Sequence, residues 1–302
     1  MTNETNGLLA GLSAELVSIT ERVGASVVRV DDGTRLTATG IIWSADGIIV
    51  TTSHGVERDE EVFIELHNGT RLAATLIGRD PDTDIAALRV AATGLPPAEV
   101  AADDAAKIGQ FALALGRPGN SGLQATFGIV SARLDSQSEG GPETVLHTDA
   151  VFYPGFSGGP LVNVAGQVIG LNNLMFGRGK GVSLGVSIVR HVVEGLLAHG
   201  KMPRGYLGVR TQAAALPAHL IESLPLTQDR GLLIVQVEQK SPAEQGGLLL
   251  GDTLLSVSGQ QITDVDSLRS QLRQHHAGQE IALNLLRGGV LLTLAVTLGT
   301  EN

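Results

Sequence analysis

Short apolar runs separated by turn residues fill most of the chain up to Val186 and restrict the folds that it can adopt. A first block of runs extends from Ser26 to about Leu88, and a second extends from about Ile108 to Val186. Runs that recur about every 8–12 residues, without long helices between them, are typical of β-sandwiches and β-barrels. Two successive blocks of about six runs each therefore predict two packed barrels.

The amino-acid composition agrees with a chain of many strands. Of 302 residues, 43% are hydrophobic and only 3% are aromatic, so the core must be built from Val, Leu, Ile and Ala. The 39 glycines favour tight turns between strands over a helix bundle. Because the chain has no cysteine, disulfides, thiolate metal sites and cysteine nucleophiles are excluded. A net charge of −10 without a basic stripe argues against nucleic acid as a partner.

Helical periodicity flanks the two blocks of strands. Apolar residues at helical spacing predict an amphipathic helix over residues 8–23. A second helix should close the double barrel, with Ser187 as its N-cap and Gly200 at its end. We therefore expect an N-terminal helical segment at 1–25 and a mainly β domain at 26–200.

A second, smaller domain follows the short linker KMPRG and should occupy residues 203–300. Its strand-like runs are interrupted by two helix signatures. Ser241 begins a capping box with proline at the first helical position, and Leu268 and Leu272 lie one turn apart in a helix over 264–277. This pattern predicts a small α+β domain.

The stretch GFSGGP, with Ser157 at its centre, is the main candidate for chemistry. Small neighbours let the backbone turn sharply and let a substrate carbonyl approach main-chain N–H groups. The same letters also fit an inert Gly-Pro turn and the G-x-S-x-G elbow of α/β-hydrolases. An elbow is followed directly by a helix, whereas GGPLVNVAGQVIGL after Ser157 predicts a turn and strands. The elbow is therefore disfavoured.

A serine nucleophile needs a histidine base and a carboxylate that orients the histidine. His54 ends an apolar strand among small residues, and it is the best histidine candidate, with His147 as the main competitor. Asp84 directly precedes the apolar run IAALRV, where burial of an acid requires a partner. Asp80 and Asp82 are better suited to the preceding turn. The chain order His, Asp, Ser fits a catalytic triad on two barrels.

Four segments carry a resemblance to a known family. They are ADGIIVTTSHGV, GRDPDTDIAALRV, HTDAVFYPGFSGGPLVNVAGQVIGLN, and RGYLGVRTQ followed by SPAEQGGLLLGDTLLSVSGQQI. Together they make the chain similar, over about residues 8–300, to the HtrA (Do/Deg) family of trypsin-like serine proteases with a PDZ domain. The resemblance implies a mainly β fold, a chymotrypsin-like double β-barrel followed by a small α+β PDZ domain.

The resemblance also assigns roles to individual residues. It makes His54 the general base, Asp84 its orienting partner and Ser157 the nucleophile, with the N–H groups of Gly155 and Ser157 as the oxyanion hole. The loop after GLNN should line the specificity pocket with Leu174 and Met175. This loop, about residues 173–181, contains no carboxylate, so we expect cleavage after aliphatic residues rather than after Lys or Arg.

In the second domain the resemblance implies a groove for apolar C-terminal peptides, which bind as an added strand. Its carboxylate-binding loop and edge strand would comprise Tyr206, Leu207, Gly208 and Val209. Leu268 and Leu272 would face the groove from the neighbouring helix. The alternative is that both leucines are plain core residues.

Three residues depart from the family's usual pattern. Phe156 directly precedes the serine where the family has Asn, Tyr153 replaces another Asn, and Gly55 replaces a larger aliphatic residue after His54. A bulky ring at 156 either stabilises the loop of the oxyanion hole or holds it in an inactive form. Gly55 is expected to loosen the turn at His54.

The sequence therefore predicts an ATP-independent serine endopeptidase for unfolded or damaged proteins, without a cofactor or metal. The alternative is a catalytically impaired chaperone or peptide-binding adaptor. We expect a homo-oligomer, which is a trimer by family resemblance. We expect neither a nucleic-acid partner nor a membrane span. Since we find no signal peptide or membrane anchor, we expect a cytoplasmic protein or one whose targeting segment has been removed.

Overall fold

A computed structural model describes residues 2–34, 38–119, 121–138, 141–177, 181–202, 205–224, 226–273, 275 and 277–300. The chain divides into two compact units, Met1–Met202 and Pro203–Asn302. Residues 203 and 204 of the expected linker lie outside the described residues.

The first unit begins with helix α1, Thr2–Gly24, which is longer than the helix predicted over 8–23. Its C-terminal half packs on the barrels, where Ile19 and Val23 are buried. Its N-terminal half instead exposes three leucines, Leu8, Leu9 and Leu12. The apolar periodicity of α1 therefore serves the core of this unit only over its last turns.

The first barrel closes in the order β1-β2-β3-β6-β5-β4, all antiparallel. Its interior is aliphatic, as the composition predicts. A 3₁₀ turn, Ser53–Gly55, follows the third strand. The strands are β1 (Val27–Asp31), β2 (Ala38–Ile42), β3 (Ile48–Thr52), β4 (Val62–Glu65), β5 (Arg71–Asp80) and β6 (Ile85–Val90).

The second barrel closes in the corresponding order β10-β11-β12-β9-β8-β7. Residues of both barrels, of α1 and of the closing helix share one apolar cluster, so the two barrels pack directly on each other. Its elements are β7 (Phe111–Gly116), β8 (Gln124–Ser138), β9 (Gly141–Thr148), β10 (Pro160–Asn163), β11 (Val168–Asn173), the short helix α2 (Leu174–Gly177) and β12 (Gly181–Gly185). The prediction of two six-stranded barrels is confirmed.

Helix α3, Val186–His199, closes the first unit and buries one apolar face on the cluster between the barrels. It ends as predicted, because Gly200 adopts a left-handed φ of 72° and donates its N–H to the carbonyl of Leu196. The predicted N-cap is wrong. The helix begins one residue earlier, after Gly185, so Ser187 lies inside the first turn and its buried hydroxyl has no hydrogen-bond partner among the described residues.

The second unit is a sheet in the order β14-β15-β16-β18-β19, with β14 at its edge and β17 paired to β16. Ser241 caps α5 by accepting the N–H of Glu244, as predicted. The elements are β13 (Gly205–Tyr206), β14 (Val209–Ala215), α4 (Ala218–Ser223), β15 (Arg230–Val237), α5 (Pro242–Gln245), β16 (Thr253–Val257), β17 (Gln260–Gln261), α6 (Val265–Arg273), β18 (Glu280–Arg287), β19 (Val290–Thr297) and β20 (Gly299–Thr300).

Candidate active site

His54 and Asp84 meet at the end of the first barrel. His54 sits in the 3₁₀ turn after β3, and Asp84 directly precedes β6, the strand that pairs with β3. The Asp84 carboxylate accepts both the ring Nδ1 of His54 at 2.5 Å and its backbone N–H at 2.9 Å. Asp84 is only 3% exposed and has a φ of 57°, a conformation that aspartate tolerates better than most residues. One carboxylate therefore holds the imidazole in a single orientation.

Asn173, the last residue of β11, is a third partner that the sequence analysis did not assign. Its side-chain amide donates to Oδ2 of Asp84 at 2.8 Å, and its own oxygen accepts the N–H groups of Met175 and Phe176. It is fully buried. Asparagine at the end of an apolar strand was the available signal, because a buried amide needs partners on both of its ends.

Ser157 lies in the turn before β10, on the second barrel, and is buried. Its Oγ accepts the N–H of Leu174 at 3.3 Å. No hydrogen bond joins Ser157 to the ring of His54 within the described ranges. Bonds between a nucleophile and its base are often formed only when substrate is present. His147, the competing histidine, lies on β9 opposite Val182 and Ala132.

The N–H groups of Gly155 and Ser157 donate to no protein acceptor within the part of the chain that the structure describes. Gly155 has a φ of 91°, which only glycine adopts without strain. The intervening N–H of Phe156 is used internally and donates to the carbonyl of Tyr153 at 2.9 Å. Two main-chain donors on either side of Phe156 thus remain available for an oxyanion.

Phe156 points into the second barrel. Its ring is 0% exposed and packs in the apolar cluster of that barrel, edge-on to Tyr153 with ring centroids 5.7 Å apart. Gly116 makes room for it, because a Cβ at Gly116 would lie 2.5 Å from the ring. The bulky side chain therefore anchors the loop from within the barrel.

Gly55 fills a place where no side chain fits. A Cβ there would lie 2.5 Å from the Cβ of Ala38 and 2.9 Å from the hydroxyl of Thr52. Gly55 therefore lets the histidine turn pack closely on β2, rather than loosening it as the sequence analysis expected.

Asp32 holds the segment that follows His54 through hydrogen bonds. Its buried carboxylate accepts the N–H groups of Thr34, Glu57 and Arg58. Burial alone would raise the pKa of Asp32, but these hydrogen bonds outweigh it, and the pKa is lower than the ordinary value. Asp32 is therefore an ionised acceptor that holds the chain after His54.

The two pocket candidates, Leu174 and Met175, lie on α2 directly after Asn173. Leu174 is half-buried and lines a cavity of about 380 Å³, whereas Met175 is 57% exposed and does not line it. Residues 178–180 of the expected pocket loop lie outside the described residues. The cavity has apolar and polar walls, formed by Ser131, His147, Thr148, Asp149, Ala150, Val151, Phe152 and Gly181.

The carboxylate of Asp149 in this cavity was not anticipated, since the sequence analysis considered only the loop 173–181. Its Oδ1 accepts the N–H of Ile129 at 2.7 Å.

In the second unit, all six predicted groove residues line one cavity of about 760 Å³. They are Tyr206, Leu207, Gly208, Val209, Leu268 and Leu272. Leu268 is also a core residue, so the two interpretations of this side chain are compatible. The sequence analysis missed Glu238, Val265 and Arg269 in the walls, and the Tyr206 hydroxyl donates to Glu238 at 2.5 Å.

Among the described residues, no helix is long and apolar enough to cross a membrane, and no cluster of three or more His, Asp or Glu could hold a metal ion.

Comparison with known proteins identifies both units. The trypsin-like peptidase domain family matches residues 38–171, and the PDZ domain family matches residues 205–298. The solved structure of an HtrA-type protease, AlgW with tripeptide, shares 30% sequence identity and a TM-score of 0.67, covering 95% of this chain and 97% of that chain. The serine endoprotease of Yersinia pestis shares 29% identity and a TM-score of 0.70, over 94% and 97% of the two chains. These matches confirm the predicted fold class.

Among the curated relatives, a probable periplasmic serine endoprotease DegP-like of Ectopseudomonas mendocina is 36% identical over 266 residues, which are 86% of this chain and 56% of the relative. One of the same description from Chlamydia muridarum is 35% identical, over 86% of this chain and 53% of the relative. The chain thus spans little more than half the length of the curated relatives it matches. The expectation of a cytoplasmic location is wrong, because these relatives are named periplasmic.

Proposed function

Because the chain belongs to the HtrA family of trypsin-like serine proteases with a PDZ domain, we propose that it is an ATP-independent serine endopeptidase for unfolded or damaged proteins. The observation that carries this proposal is the pair of hydrogen bonds from His54, through its backbone N–H and its ring, to the carboxylate of Asp84. Both residues belong to the first barrel, which packs against the second barrel, where Ser157 lies. We propose that residues 26–200 form the protease domain and 203–300 the PDZ domain, preceded by the helical segment 1–25.

In this mechanism Ser157 turns its hydroxyl from the N–H of Leu174 toward His54 when substrate binds. His54 takes the proton as Ser157 attacks the scissile carbonyl, and Asp84 stabilises the imidazolium that forms. The N–H groups of Gly155 and Ser157 receive the oxyanion, where one such donor contributes about 10²–10³ in rate. His54 then returns the proton to the leaving amine, and water completes the cycle through the same groups.

The burial of Phe156 supports the enzyme over the impaired chaperone or adaptor. A ring that blocked the oxyanion hole would project toward the donors at Gly155 and Ser157, whereas this ring packs inside the second barrel.

The pocket is proposed to accept aliphatic side chains through Leu174, with Met175 at its rim. Asp149 is exposed to solvent, which screens its charge and weakens its attraction for a substrate cation. Cleavage after Val or Ala should therefore exceed cleavage after Arg.

We propose that the groove of the second unit binds apolar C-termini, which extend the sheet at the free edge of β14. The loop Tyr206, Leu207 and Gly208 would hold the terminal carboxylate, and Leu268 and Leu272 would contact its apolar side chains. The partners are therefore unfolded proteins and apolar C-terminal peptides. A periplasmic location is proposed from the names of the relatives. A homo-trimer is proposed from the family resemblance.

Casein digestion by the wild type and by Ser157→Ala tests the activity, together with labelling of Ser157 by a fluorophosphonate and a comparison of Val and Arg peptides. Loss of digestion and labelling in the variant is expected. Equal digestion by both proteins contradicts the protease assignment, and faster cleavage after Arg contradicts the pocket.

A further inference from the structure

Thr39, on β2 of the first barrel, holds the segment around Ser157 at two points. Its N–H donates to the carbonyl of Ser157 at 2.9 Å, and its hydroxyl donates to the carbonyl of Gly155 at 2.6 Å. These carbonyls lie on either side of Phe156, whose own N–H donates to Tyr153. Thr39 itself is fully buried. The backbone between the two oxyanion donors is therefore fixed from the opposite barrel.

The direction of the Thr39 hydroxyl bond follows from its second partner. The N–H of Arg117 donates to Oγ1 of Thr39 at 2.8 Å, which occupies an acceptor site of the hydroxyl. A hydroxyl has one proton, and the carbonyl of Gly155 at 2.6 Å receives it. The Thr51 hydroxyl in turn donates to the carbonyl of Thr39 at 2.7 Å and holds its backbone.

Arg117 is itself anchored. Its guanidinium donates to the carbonyl of Val27 at 2.9 Å and to that of Gly24, at the end of α1, at 3.1 Å. The donor that orients the Thr39 hydroxyl therefore cannot shift without breaking further bonds.

We propose that Thr39 is a positioning residue for the oxyanion hole, which acts by fixing the peptide between Gly155 and Phe156. The proposal rests on the proposed protease function. It also accounts for the apolar residue at 156, because the polar contacts that orient this loop come from Thr39 and Tyr153 instead. Removal of the hydroxyl leaves the carbonyl of Gly155 and the N–H of Arg117, both on half-buried residues, without this partner, so the loop gains other orientations.

The test compares Thr39→Val, which keeps the shape and removes the hydroxyl, with Thr39→Ser, which keeps the hydroxyl. We expect Thr39→Val to lower kcat about 10²-fold with KM changed less than about twofold, because an oxyanion donor acts in the transition state. Thr39→Ser should restore most of kcat. A peptide boronate, which mimics the tetrahedral intermediate, should bind Thr39→Val more weakly in proportion to the loss of kcat/KM.

Thr144→Val is the matched control, because Thr144 is also buried and also donates its hydroxyl to one partner, Asp135. It should keep wild-type kcat even if its thermal unfolding midpoint falls as far as that of Thr39→Val. Wild-type kcat in Thr39→Val, or an equal loss in Thr39→Ser, overturns the role of Thr39 while the wild type remains a protease. Wild-type activity equal to that of Ser157→Ala instead overturns the protease function, and the role of Thr39 with it.

Discussion

At the residue scale, the aromatic side chain beside Ser157 shows how a family position can change without loss of the site. Phe156 occupies a space that exists only because residue 116 is glycine. The packing of the Phe156 ring therefore depends on the absence of a side chain at Gly116. Since the loop carries both main-chain donors, a disturbance of the ring should appear in catalysis as well as in stability.

Gly116→Ala tests this dependence. A Cβ 2.5 Å from the ring must displace Phe156, and overpacking of this kind costs about 1–3 kcal/mol. We expect a lower free energy of unfolding and a lower kcat, measured by denaturant titration and by hydrolysis of a fluorogenic peptide. Gly11→Ala is the control for kcat, because nothing lies within 4 Å of a Cβ there, and inside helix α1 it should raise rather than lower the free energy of unfolding. Wild-type kcat in Gly116→Ala would show that the ring has no part in shaping the loop.

The pairing of His54 with Asp84 could be predicted from the sequence, whereas the partners of the neutral residues Asn173 and Thr39 could not. His54 and Asp84 stand out because each is a polar residue at the end of an apolar strand. Asn173 and Thr39 come from distant strands, and their proximity depends on how the two barrels dock. No local pattern encodes that docking.

At the element scale, helix ends and short elements show which signals are local. The capping box at Ser241 and the glycine at 200 were predicted because their bonds involve neighbours in sequence. Ser187 failed as a cap because α3 already begins at Val186, whose side chain is buried on the core. Helix α4 was missed because its six residues are too few for a helical period to stand out, although Leu220 and Ile221 pack against a small apolar cluster.

Two strands of the second unit are joined by an ion pair whose strength depends on pH. Asp252, next to β16, accepts two hydrogen bonds from Arg287 at the end of β18, at 2.8 and 2.7 Å, and is 1% exposed. Burial alone would raise the pKa of Asp252, but the bonds from Arg287 and from the N–H of Leu249 outweigh it and lower the pKa. A lowered pKa in the folded state contributes stability above the ordinary value of about 3.9, and this stability is lost as the pH falls below it.

We therefore expect Asp252→Asn to destabilise the second unit at pH 7 by about 1.5–3 kcal/mol, the usual contribution of hydrogen bonds to a charged group. The difference from the wild type should begin to shrink below about pH 4, where Asp252 of the unfolded wild type binds a proton, and should shrink further as the folded state, with its lowered pKa, binds one too. Denaturant unfolding of both proteins from pH 7 to pH 3 measures this difference in the free energy of unfolding. Asp229→Asn, at an exposed residue, is the control. A difference that is constant over this range contradicts the assignment.

At the scale of the whole molecule, α1 leaves apolar surface that its own unit does not cover. Leu8 is 77% exposed and Leu9 is 60% exposed, whereas Ile19 on the same helix is 2% exposed. An amphipathic helix that buries only one end of its apolar face supports the proposed oligomer, in which other copies cover the rest.

Replacement of both Leu8 and Leu9 by Asp should therefore shift the protein from trimer to monomer in light scattering coupled to size-exclusion chromatography. The buried end of α1 is unchanged, so the monomer should keep its fold by circular dichroism. Val290→Asp, at an exposed apolar residue of the second unit, should leave the mass unchanged. A monomeric wild type contradicts the trimer.

The proposed catalytic groups are divided between two barrels that the chain completes one after the other. His54 and Asp84 belong to the first barrel, whereas Ser157, before β10, and Asn173, at the end of β11, belong to the second barrel and follow much later in the chain. Under the proposed assignment, a polypeptide that is still being synthesised therefore carries the histidine and the aspartate before it carries the serine nucleophile. In the proposed mechanism, the site is therefore complete only when the last strands of the second barrel are in place, so the order of synthesis itself delays the activity until the whole double barrel has formed.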